Sequence, residues 1–71
     1  MMSDIKILLG QRIRELRKSK NMSQEQLAFS SGLSRQYIAD VERGARNIAI
    51  VNIQKIAKAL EIPLSEVFDF K

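Results

Sequence analysis

Cysteine and histidine are both absent from these 71 residues, proline occurs once and glycine three times. Without cysteine there are no disulfides and no thiolate metal sites, which suits a reducing cytoplasm. The commonest nucleophile and proton-transfer side chains of enzymes are missing too, as is any glycine-rich phosphate loop. The acids Asp4, Glu15, Glu25, Asp40, Glu42, Glu61, Glu66 and Asp69 are dispersed along the chain. No catalysis, no metal and no cofactor are therefore expected. Apolar runs fall short of the roughly 18 residues of a membrane span, and the start MMSDIKILLG has too short an apolar run and the wrong flanks for a signal peptide. With no low-complexity tract and no internal repeat, residues 1–71 are expected to form a single domain.

What the chain does have is an apolar content of 45%, enough for a small core, and an uneven net charge of +4. Residues 1–22 carry six Lys/Arg (Lys6, Arg12, Arg14, Arg17, Lys18, Lys20) against Asp4 and Glu15, while residues 23–49 and 50–71 each hold three of either sign. The excess positive charge thus lies in the first segment. A basic run alone is usually a solvated helix face. Beside a reading helix it becomes an electrostatic approach to phosphate.

The stretch from Met22 to Gly44 organises the rest. Ser23 with Gln26 three residues on is a capping box, which starts a helix near Gln24. Gly32 falls where that helix must end with positive φ. Ser34 is a second N-cap, Ile38 and Val41 recur as a buried stripe, and Gly44 closes the second helix. At about 100° per residue, Arg35, Gln36, Ala39, Asp40 and Arg43 share the arc opposite Ile38 and Val41, with Tyr37 and Glu42 at its borders. Arg pairs bidentately with guanine and Gln with adenine in the major groove. Asp40 would be repelled by phosphate, so it either accepts from cytosine N4 or orients Gln36 and Arg43 on its own helix, the second being the favoured role. Tyr37 offers a hydroxyl to phosphate, or simply packs. Gln24, at a helix N-terminus, is suited to clamp a phosphate, although a plain first-turn residue would look the same.

Flanking this stretch, residues 4–20 read as a long first helix with Ile5, Leu9, Ile13 and Leu16 on the core face. Arg14, Arg17 and Lys18 project away from that arc, Arg12 borders it, and Asn21 is the terminator. A fourth helix from about Ile50 to Leu60 turns Ile50, Ile53, Ile56, Ala57 and Leu60 inward. Val51 projects between Lys55 and Lys58 on the outside. Pro63 starts a short last helix through Leu64, Val67 and Phe68, with Phe70 trailing. The pattern is all-α.

The run SQEQLAFSSGLSRQYIADVERG, followed by RN and IAKALEIPLSEVF, closely resembles the lambda-repressor-like (Cro/repressor, XRE) helix-turn-helix DNA-binding family over about residues 8–70. The resemblance implies a compact five-helix domain that binds double-stranded DNA as a homodimer, with the third helix in the major groove. Arg35 and Gln36 would be the principal base readers, with Tyr37 and Asp40 as secondary contacts. Gln24, Ser34, Arg43, Arg46 and Asn47 would hold the DNA backbone. Glu42 would pair with Arg17, a structural contact. Ile48 stands where many relatives have proline and Val51 where they often have aspartate. Ile48 and Val51 are therefore candidates for a self-complementary dimer interface, against the alternative of scattered surface apolars, and Phe68 and Phe70 either complete that interface or cap the core. No small-molecule ligand is indicated.

The implied function is transcriptional regulation, as a repressor or autoregulatory controller, at a palindromic operator in a bacterial or phage cytoplasm. The competing function is a protein-interaction module on the same fold, such as an antitoxin or adaptor. Such a module would be expected to lose Arg35, Gln36, Arg43 and Arg46, which this chain keeps. A membrane-surface role is disfavoured because the first helix needs its apolar stripe for the core.

Overall fold

The computed structural model describes residues 4–70 as five helices: α1 (Ile5–Ser19), α2 (Gln24–Ser31), α3 (Arg35–Glu42), α4 (Ile50–Leu60) and α5 (Leu64–Val67). The boundaries follow from side chains that satisfy free backbone groups. The Asp4 carboxylate accepts from the Lys6 amide at 2.8 Å and opens α1. Asn21 takes φ 57° just past the end of α1, the left-handed turn expected of a terminating Asn. Both halves of the capping box form at α2, with Ser23 Oγ accepting from the Gln26 amide at 3.0 Å and Gln26 Oε1 from the Ser23 amide at 2.7 Å. Gly32 (φ 75°) then reverses the chain, and the Leu33 amide reaches back to the Ala28 carbonyl at 3.0 Å. Ser34 Oγ accepts from the Tyr37 amide and starts α3.

One apolar core joins all five helices. Ile13 of α1, Leu27 of α2, Ile38 of α3, Ile56 and Leu60 of α4 and Val67 of α5 are fully buried, and Leu9, Leu16, Ala28, Val41, Ile53 and Ala57 complete the cluster. Each helix contributes a residue it cannot shield alone, so the turn between α2 and α3 is held from behind by the other three helices.

Two expectations about the core fail at helix ends. Ile5 is 58% and Ile50 63% exposed, although both lie on the apolar arcs of their helices. Each occupies the first residue of its helix, where the stripe overhangs the body of the core. Periodicity assigns a face, but burial needs a neighbour opposite it. A contact with no sequence signature lies at Gly10. A Cβ there would overlap the Val41 carbonyl oxygen and approach that of Glu42 at 2.8 Å, so α1 crosses the end of α3 backbone against side-chain hydrogen.

Candidate nucleic-acid interface

With Ile38 and Val41 locked in the core, the opposite side of α3 is presented outward. Arg35 and Gln36, in its first turn, are exposed as the periodicity requires. Behind them Asp40 collects donors. Its Oδ1 accepts from Gln36 Nε2 at 2.9 Å and Arg43 Nη2 at 2.5 Å, and its Oδ2 from Arg46 Nη2 at 3.4 Å. The Gln36 amide first, then the Arg43 guanidinium, holds the Asp40 carboxyl below its ordinary range, so it is a carboxylate at neutral pH. The orienting role is the one its contacts describe.

Tyr37 is half-buried at the border of this face. Its hydroxyl oxygen accepts from Asn52 Nδ2 at 3.0 Å, which leaves the hydroxyl proton to donate outward. The Arg46 guanidinium stands 4.6 Å from the Tyr37 ring centroid, a cation–π contact that ties the loop after α3 back onto the helix. Gly44, with φ 74°, makes the bend that returns that loop. Asn52 had no role in the sequence reading. Its partner is 15 residues away on another helix, a contact that no local pattern encodes.

A second cluster sits beneath the first. Arg17 Nε and Nη2 donate to the two Glu42 carboxylate oxygens at 2.6 and 3.0 Å, Arg17 Nη1 donates to the Met22 carbonyl at 2.7 Å, and Gln24 Nε2 donates to Glu42 Oε1 at 3.0 Å. Arg17 is only 8% exposed. It belongs to the seam between α1 and α3, and this corrects the expectation that it projects with Arg14 and Lys18. Among the described residues no buried side-chain polar atom lacks a partner, so the ion pair is fully satisfied. Gln24 gives one amide hydrogen to Glu42, which leaves its other amide hydrogen uncommitted. Ser34 Oγ accepts as a cap and retains its own proton.

Other expected residues go elsewhere. Asn47 is exposed but is not drawn to Asp40. It lines an open concavity of about 260 Å³ with Ile5, Lys6, Leu9, Ile48, Ile50, Ile53 and Phe68. Ile48 and Phe68 therefore line the same concavity, and Val51, 57% exposed, lies beside Ile50 on the same helix. Phe70 does not join them. It packs on the core, as the core-capping alternative has it, and lines a different cleft with Leu8, Gln11, Arg12, Glu15 and Asp69. On α2, Phe29 is 89% exposed and is not among the residues that line that concavity. Arg12 is tied to the Glu66 carbonyl and to Glu15, which leaves Arg14, Lys18 and Lys20 as exposed cations of the first segment without an ion pair among the described residues.

Among the described residues no three His, Cys, Asp or Glu are grouped to hold a metal, and no helix is long and apolar enough to cross a membrane. A helix-turn-helix family model matches residues 13–67. The chain is 51% identical over 71 residues to control protein C.BamHI of Bacillus amyloliquefaciens, covering 99% of this chain and 88% of that one. The crystal structure of the restriction-modification controller protein C.AhdI from Aeromonas hydrophila superposes with a TM-score of 0.90 at 53% identity, over 93% of this chain and 100% of the other. The restriction-modification controller protein C.Esp1396I, as a tetramer in complex with its natural 35 base-pair operator, matches with a TM-score of 0.87 at 35% identity, over 96% and 90%.

Proposed function

Because the chain belongs to the helix-turn-helix family, we propose that it is a sequence-specific DNA-binding transcriptional regulator of the restriction-modification controller kind. The observation that carries this reading is the pair Arg35 and Gln36, exposed in the first turn of a helix whose reverse face is fixed in the core. That end of α3 is the one which enters the major groove in helix-turn-helix docking, and these side chains match guanine and adenine edges. Tyr37 donates its hydroxyl proton at the margin. Gln24, Ser34, Arg43, Arg46 and Asn47 hold phosphates and set the register.

The same reading makes the protein a homodimer on a palindromic site, with half-sites about 34 Å apart. Ile48, Val51 and Phe68 supply the interface, now joined by Ile5 and Ile50, whose exposure extends the apolar patch. Regulation without an enzymatic activity, in the cytoplasm where DNA is reached, completes the assignment.

Selection of bound duplexes from a random pool tests it. A single palindromic consensus is expected, and Arg35→Ala should cost roughly 1 to 3 kcal/mol of discrimination at one base pair of each half-site. A pool that yields no consensus would overturn the assignment in favour of the protein-interaction module. Equal weakening of consensus and random DNA by Arg35→Ala would overturn Arg35 as a base reader.

A further inference from the structure

Three donors that face outward from α3 and its following loop converge on one carboxylate: Gln36 Nε2, Arg43 Nη2 and Arg46 Nη2 all reach Asp40. Two are guanidinium groups, the groups that bind phosphate best in a fork geometry. Asp40 stands to them as a phosphate would. Their side chains remain largely open, Arg43 at 64% and Arg46 at 46%, so the contacts are exchangeable. The third donor is different, because Gln36 is fixed by this bond with one amide hydrogen and its carbonyl oxygen left over. Those two groups are the donor and acceptor that adenine N7 and N6 require.

We propose that Asp40 is a positioning residue that sets the ratio of specific to random DNA binding, by occupying Arg43 and Arg46 with an internal carboxylate while holding Gln36 in its reading orientation. The inference rests on the DNA-binding reading above. Any phosphate that engages Arg43 or Arg46 must displace or share Asp40 and must accept its negative charge nearby. That penalty falls on every DNA. Random DNA has only the phosphate attraction to set against it. A cognate site recovers it through Gln36, whose amide meets the base already oriented.

The two parts of the role separate by substitution. Asp40→Asn removes the charge but leaves a carbonyl oxygen that still accepts from Gln36. Asp40→Ala removes both. Asp40→Glu keeps the charge and serves as the control. Binding is measured for the duplex selected from the random pool and for a random-sequence duplex of the same length, across a series of salt concentrations, with thermal melts to verify folding.

Asp40→Asn is expected to raise affinity for the random duplex roughly three- to tenfold and to steepen its log affinity against log salt by up to about 0.9 per subunit, the gain of one phosphate contact. The selected duplex should gain less, so the ratio narrows. Asp40→Ala should narrow it further and relax preference at the base pair that Gln36 reads. A purely structural Asp40 would shift the melt and leave the salt slope alone. An unchanged ratio or an unchanged slope with Asp40→Asn overturns the proposal. So does loss of affinity confined to the selected duplex with altered preference at a cytosine, which would make Asp40 a base reader. Wild-type protein that retains neither duplex would refute the DNA-binding reading itself, a result distinct from any of these.

Discussion

Two carboxylates two residues apart on α3, Glu42 and Asp40, are each bound by arginine, yet they do different work. The Glu42 side chain is 4% exposed and its partner Arg17 10%, with a bidentate pair closed further by Gln24 and the Met22 carbonyl. Asp40 is 16% exposed, but its arginines stand in solvent. A buried charge pair cannot exchange partners, because any separation strands a charge away from water. An exposed pair gains little and exchanges readily, since water and salt offset its Coulomb attraction. One helix thus carries a fixed bolt on its inner edge and a releasable contact on its outer edge. The difference comes from burial, since the chemistry of the two pairs is the same.

The comparison breaks most severely at Glu42. Glu42→Ala should cost about 3 to 5 kcal/mol of folding stability, because Arg17 is left charged and enclosed. Chemical denaturation measures the loss, and a combined Arg17→Met, Glu42→Leu variant should recover most of it. If Glu42→Ala melts like the wild type, the pair is not a bolt. Gly10→Ala attacks the same seam from the other helix. A methyl group pressed on the Val41 and Glu42 carbonyls should cost roughly 1 to 3 kcal/mol, read again by denaturation, with the α1–α3 crossing forced apart.

On the outward side the effects move from stability to binding. Val51→Glu should leave the fold intact and convert the protein to monomers on size-exclusion chromatography, with weakened operator binding. A dimer that persists would return Val51 to the scattered surface apolars. The smallest effect concerns pH. Asp40 is held below the ordinary carboxylate range, so its contacts are complete at neutral pH and are lost only as pH falls through that lowered value. With no histidine in the chain, operator affinity at constant salt should be nearly flat between about pH 6 and 8. A step in that window, followed by titration calorimetry, would point to a group outside both clusters.

Much of the reading helix was legible because its signals are local. The Ser23–Gln26 box, the Ser34 cap and the turns at Gly32 and Gly44 each act within four residues, and the contacts of Asp40 to Gln36 and Arg43 follow from i,i+4 and i,i+3 spacing. The Arg17–Glu42 pair came from resemblance to a family, since 25 residues separate its members. Ile5 and Ile50 were misplaced because a helical stripe says nothing of where the opposing layer ends. Phe70 and Phe68, two residues apart, were grouped by sequence, and the chain after α5 sends them into different clefts.

By itself the sequence determined the helices, their caps, the apolar stripe and the polar arc that carries Arg35 and Gln36, all consequences of backbone geometry over a few residues. Tertiary structure alone decided which arginine would be enclosed and which left free, that Asn52 would hold Tyr37, and that Gly10 would admit a neighbouring backbone. These depend on which surfaces meet across the core, and distance along the chain carries no information about that until the helices pack.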